Sequence, residues 1–118
     1  MKRIYIACPY SHPDATVREA RFELVNEVSA WFVSNKFSVF SPISMSHPIA
    51  KYMDNHNDSD FWVNLDLDWL KECDIMVIVQ APGWAMSRGI RREIDYALKL
   101  GIKIRNLDPD TMEVDGGL

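Results

Sequence analysis

Cysteine is scarce: Cys8 and Cys73 are the only two in 118 residues, and neither has a partner at metal-ligand spacing. A cysteine-built metal site is excluded, and two reduced thiols in apolar surroundings are expected instead of a disulfide. Basic charge is in deficit, with 13 Lys and Arg against 17 Asp and Glu and a net charge of −4. Apart from Arg88, Arg91 and Arg92 the cations are scattered, so the chain offers no field for duplex nucleic acid. No apolar run approaches the length that spans a bilayer, and Met1 is not followed by a leader-like apolar segment. No membrane partner is therefore expected, and a cytoplasmic location is the default. Glycine is also sparse. The segment after the first apolar run has no Gly/Ser/Thr-rich phosphate cradle, which argues against a flavin site. Val79-Gln80-Ala81 lacks the aspartate that a phosphoacceptor receiver needs.

What remains is the composition of one ordinary globular domain over residues 1–118, large enough for a single core and too small for separate cofactor and substrate domains. Ile4 to Cys8 is apolar on both faces and stops at Pro9, as a central parallel strand does. Asp14 to Ser34 carries apolar residues at three- and four-residue steps, which predicts a long amphipathic helix. Phe37 to Phe40 predicts a second short strand. Ser41 to Asp60 contains Pro42, Pro48 and a polar run, and reads as a long connection of the kind that serves binding and is mobile. Asp60 is placed to cap a helix running to Leu70, Ile75 to Val79 predicts a third strand, and Ser87 to Leu100 a helix stopped by Gly101. Ile90, Ile94, Ala97 and Leu98 form that helix's apolar face, and Ile102 to Ile104 is a fourth strand. Asp108 to Leu118 reads as a weakly ordered tail or partner contact. The alternation predicts an α/β fold: a flavodoxin-like three-layer sandwich with a parallel sheet of four to five strands in the order 2-1-3-4(-5).

Ligands of such sheets bind at the carboxyl ends of the strands. Three segments converge there: Ala7 to Pro13, Ser41 to His47 and Gln80 to Ser87. In the last of these Ser87 reads as an N-cap, Gly89 leaves room beside the helix start, and Glu93 lies less than two helical turns beyond Ser87. This places an anion receptor beside a carboxylate, an arrangement suited to a phosphorylated sugar. Asp66 and Asp68 both project toward the rim, and Tyr5 offers its hydroxyl to a neighbouring carboxylate. Cys8, Pro9 and His47 are candidate pocket residues, and Trp84 a candidate for stacking on a base. His12 and His56 are weaker candidates. Asp54 to Asp60 has the acidic spacing of a calcium loop but lacks its turn glycine and has Leu65 at the twelfth position, so calcium is not expected.

The ordered motifs Ile4-Tyr5-Ile6, Asp66-Leu67 with Cys73-Asp74-Ile75-Met76, and Ser87-x-Gly89-x-x-x-Glu93 with Tyr96-Ala97-Leu98 resemble those of the nucleoside 2-deoxyribosyltransferase superfamily over residues 3 to 105. The superfamily includes hydrolases of 2'-deoxynucleoside 5'-phosphates. Ser46-His47-Pro48-Ile49 and Pro82-Gly83-Trp84 are similar to short uncharacterised members. The resemblance implies Glu93 as the nucleophile at the anomeric carbon, Asp66 as the acid that protonates the departing base, and Tyr5 as the group that positions the nucleophile. Ser87 matches a position that is serine in the 5'-phosphate hydrolases. Arg91 and Asp95 stand where the superfamily has glycines. The implied function is cleavage or transfer of an N-glycosidic bond with no metal or organic cofactor, in a homodimer or higher oligomer. A nucleotide-binding or sensing module without turnover is the alternative.

Overall fold

A computed structural model of the chain describes residues 1–54 and 58–118. Strands β1 (Arg3–Ala7), β2 (Ser38–Phe40), β3 (Ile75–Val79), β4 (Lys103–Asp108) and β5 (Glu113–Val114) form one sheet in the order β2-β1-β3-β4-β5. The first four are parallel, with Tyr5 opposite Phe40 on one side and Met76 on the other. The expected flavodoxin-like order is observed. β5 is antiparallel to β4, pairing Leu107 with Val114. The expectation of a loose tail from Asp108 is thereby corrected: Met112, Val114 and Leu118 pack on the core, and Lys2 Nζ donates to the Leu118 carbonyl at 2.6 Å.

Alternation along β1 assigns its side chains to two cores. Ile4, Ile6 and Cys8 join Val25, Val28 and Phe32 of helix α1 (Ala15–Ser34) on one face of the sheet. Tyr5 and Ala7 join Leu70 of α3 (Ser59–Leu70) and Ile90 and Ala97 of α4 (Arg88–Leu100) on the other. Cys8 and Cys73 are free thiols associated with opposite faces. Leu98, expected on the apolar face of α4, is 65% exposed.

The segment read as a long connection holds a helix, α2 (Pro42–Ala50). Pro42 occupies its first turn, where the missing N–H is no loss, and Pro48 lies near its far end, where it forfeits one bond to the preceding turn. Ser44 Oγ donates to Asn26 Oδ1 and ties α2 to α1. Residues 55–57, and with them His56 and the centre of the calcium-like run, lie outside the described residues, as does that part of the proposed mobile connection. The cap of α3 is Asp58, whose Oδ1 accepts from Phe61 N at 3.1 Å. Asp60, the expected cap, sits in the first turn instead and accepts from Arg92 at 2.7 Å. Among the described residues no helix is long and apolar enough to cross a membrane.

Candidate functional site

The carboxyl end of β1, the loops that follow β1 and β3, and helices α1 to α4 enclose an open cleft of about 1030 Å³. Tyr5, Glu93 and Asp66 come together at its base. Tyr5 projects from the middle of β1 and is fully buried, and its hydroxyl donates to Glu93 Oε2. Glu93 faces inward because it shares a side of α4 with Ile90 and Ala97, at three- and four-residue steps. It is 7% exposed and lines the cleft.

Burial pushes the Glu93 carboxyl up to about 8; the hydrogen bond from Tyr5 opposes this and the nearby Asp66 charge adds to it. Asp66 is half-buried, and desolvation pushes its carboxyl up to about 7. Its Oδ1 is buried with no hydrogen-bond partner. A buried acceptor without a donor is costly, and a ligand that donates to Asp66, or accepts its proton, removes that cost. The Tyr5 phenol is held well above its usual range by burial and then by the Glu93 charge, so Tyr5 acts only as a donor. Asp68, the other acidic residue expected at the rim, points outward and pairs with Lys71 at 2.9 Å.

Ser87 caps α4 as expected, its Oγ accepting from Ile90 N at 3.2 Å. Arg91 N bonds to the Ser87 carbonyl at 3.1 Å. The N–H groups of Arg88 and Gly89 precede any intrahelical acceptor and are free for an anion. Gly89 lines the cleft, and a Cβ there would meet Val63 Cγ2 only at 3.8 Å. The protein's own packing therefore does not demand glycine, and the space it leaves belongs to the cleft. Arg91 and Asp95, two residues either side of Glu93, are exposed and do not line the cleft.

The opposite wall is held by α1. Cys8, Pro9 and His47 line it as expected. Burial pushes the Cys8 thiol up to about 12, so it stays protonated. His47 bonds to the Tyr10 hydroxyl through Nδ1 at 2.6 Å and to Glu19 through Nε2 at 2.7 Å, and stacks on Phe22 with ring centroids 4.2 Å apart. Arg18 donates to the His12 carbonyl. Arg21 spans the Ser11 and Pro82 carbonyls at 3.1 and 3.2 Å, joining the loop after β1 to the loop before α4. Tyr10, Arg18, Arg21, Trp62 and Met86 also line the cleft and were not singled out from the sequence. The signal for Trp62 was present, four residues before Asp66 and thus on the same face of α3. Trp84, the expected stacking residue, is not in the cleft and packs against the core around Tyr5 and Ala7.

A separate depression of about 420 Å³ beside β5 is lined by Gln80, Asn106, Asp108, Glu113, Val114, Asp115 and Gly116, none of them a sequence candidate. Among the described residues no group of three or more His, Cys, Asp or Glu side chains is placed to hold a metal ion.

Residues 2–108 match the family described as Domain of unknown function (DUF1937), and the chain belongs to that family. No curated protein matches the chain.

Proposed function

We propose that the cleft binds a 2'-deoxynucleoside or its 5'-monophosphate and cleaves the N-glycosidic bond, with Glu93 as nucleophile. The observation that carries this reading is the buried Tyr5–Glu93 hydrogen bond in a cleft that also holds the unpartnered Asp66 Oδ1. The motif resemblance to the nucleoside 2-deoxyribosyltransferase superfamily supports it.

The chemistry divides the labour between two carboxyl groups. The Glu93 carboxylate attacks the anomeric carbon and forms a glycosyl ester. The base departs with the electrons of the carbon–nitrogen bond and takes the proton of the Asp66 carboxyl. Water, or an acceptor base, then attacks the same carbon, Glu93 leaves as a carboxylate, and the nucleophile's proton returns to Asp66. The microstate required is an ionised Glu93 beside a neutral Asp66. Burial holds Glu93 higher, at about 8, than Asp66, at about 7, so this is the less populated of the two singly ionised forms; the hydrogen bond donated by Tyr5 to the charged form of Glu93 is the contact that works toward it. The start of α4, with Ser87, Gly89 and the Arg88 N–H, is the place for a 5'-phosphate. A neutral serine there accommodates a dianion that a carboxylate would repel.

The test is base release, followed by chromatography, from a panel of deoxynucleosides and deoxynucleoside 5'-monophosphates. Wild type is compared with Glu93→Gln and Glu93→Ala after circular dichroism has verified their folding. Loss of turnover in both variants is expected. Undiminished turnover in both overturns the mechanism, and tight binding by wild type with no base release from any member of the panel favours the non-catalytic module.

A further inference from the structure

Resting on the proposed function, we infer that Trp62 is the platform for the nucleobase and that Met86, just before α4, is a second apolar contact for it, so that Trp62 rather than Trp84 determines which ring the cleft accepts. Trp62 and Asp66 are four residues apart on α3, which puts their side chains on one face one helical turn apart. Both line the cleft. A planar heteroaromatic ring lying on the indole presents its edge, not its face, to a group one turn along the helix. Asp66 is that group, and its Oδ1 has no partner within the protein. Stacking and edge recognition therefore come from a single helix whose geometry fixes their spacing.

Met86 supplies a second apolar group in the same cleft. It sits in the single 3₁₀ turn Trp84–Met86 just before α4, is 86% exposed, and still lines the cleft. An unbranched thioether is a soft, adaptable partner for an aromatic ring. Trp62 meets Phe61 edge-on, with ring centroids 5.3 Å apart. With the base on Trp62 and its edge at Asp66, the sugar lies toward Glu93 and its phosphate toward Ser87, all of which line the same cleft as Met86.

The two halves of the ligand are tested separately with the products of the reaction, free nucleobases and 2-deoxyribose 5-phosphate, in chemical-shift titrations that need no turnover. Stacking worth about 1 to 3 kcal/mol per base corresponds to a loss of roughly fivefold to 150-fold in affinity when the ring is removed. Trp62→Ala is expected to weaken base binding by that factor and to leave 2-deoxyribose 5-phosphate within about twofold, whereas Trp62→Phe keeps most of the base affinity. Met86→Ala, a truncation at an exposed position, is expected to weaken base binding less and to leave the fold intact. Equal loss of both ligands in Trp62→Ala marks Trp62 as structural and overturns the inference, as does base affinity unchanged in Trp62→Ala. Sugar phosphate that binds wild type without any base binding also overturns it, while the proposed function survives. Failure of wild type to bind either ligand overturns both.

Discussion

The Tyr5 hydroxyl bonds to the Glu93 carboxylate and so joins the interior strand β1 to helix α4 through a buried contact. The bond acts on both partners. It gives Glu93 a donor that favours its charged form, and it fixes which carboxyl oxygen is free to face the cleft.

Removing that donor in Tyr5→Phe leaves burial and the Asp66 charge acting on Glu93 unopposed, so the carboxyl is displaced further upward. The acidic limb of the kcat/KM profile is expected to move to higher pH. On that limb each unit of displacement lowers the ionised fraction, and with it the rate, about tenfold. A pH–rate series on both proteins measures the shift; an unmoved limb would dissociate Tyr5 from the ionisation of Glu93.

Stability should fall as the pH rises through neutrality. Glu93 titrates at about 8 in the folded chain against an ordinary value of 4.5, and Asp66 at about 7 against 3.8. Between the ordinary and the folded values the native state holds protons that the unfolded chain has released, so stability is fully present at acidic pH and is lost toward pH 8. Glu93→Gln removes the larger of these liabilities. It is expected to be more stable than wild type at pH 8.5 by on the order of 3 kcal/mol, with the difference vanishing near pH 4. Urea denaturation at the two pH values provides the measurement.

At Gly89 a methyl group meets Val63 only at ordinary contact distance. Gly89→Ala should therefore melt within a few degrees of wild type and yet bind 2-deoxyribose 5-phosphate at least about fivefold more weakly, through occupation of cleft space beside the free N–H groups. Calorimetry and a thermal melt together separate these effects; normal sugar phosphate affinity would place the anion elsewhere.

Ser87 combines a cap with the proposed phosphate contact. Ser87→Ala is expected to destabilise the chain by about 1 kcal/mol through loss of the bond to Ile90 N. Ser87→Asp keeps a capping oxygen but adds a negative charge, so its stability should stay near wild type while the preference moves from 5'-monophosphates toward unphosphorylated nucleosides. The ratio of the two kcat/KM values is the readout, and a ratio unchanged in Ser87→Asp would remove Ser87 from the phosphate site.

The sheet was legible in the sequence because buried parallel strands are short apolar runs, as β1 and β3 are, whereas β4 was marked only by Ile102 to Ile104 and continues through polar residues to Asp108. α1 and α4 were legible from their periodicity, and the α4 boundaries from Ser87 and Gly101, both of which do cap the helix. α2 was obscured by its prolines, which local propensity reads as breaks, although Pro42 in a first turn is favourable and Asn26 on α1 offers Ser44 a tertiary contact. The cap of α3 was ambiguous because Asp58 and Asp60 are equally competent by residue type. β5 has only two residues and depends on its pairing with β4. Within the site, Tyr5, Glu93 and Ser87 occupy the positions expected of them. The choice between Asp66 and Asp68 needed the orientation of α3: positions two apart point to different sides of a helix, and only packing selects one. The same orientation brings in Trp62 and leaves Trp84 against the core.

Helix α1 touches the cleft through few of its residues, yet it holds three of the segments around the mouth. Arg18 and Arg21 grip the carbonyls of the loop after β1, Arg21 also holds Pro82, Glu19 steadies His47, and Asn26 secures Ser44. Three chain segments that share no strand pairing at these points are thus indexed to one rod, and the aperture takes its dimensions from that rod's straightness. Softening α1 on its outer side, as glycine in place of the exposed Ala30 would, is thereby transmitted to all three of these segments, far from any atom a ligand could touch.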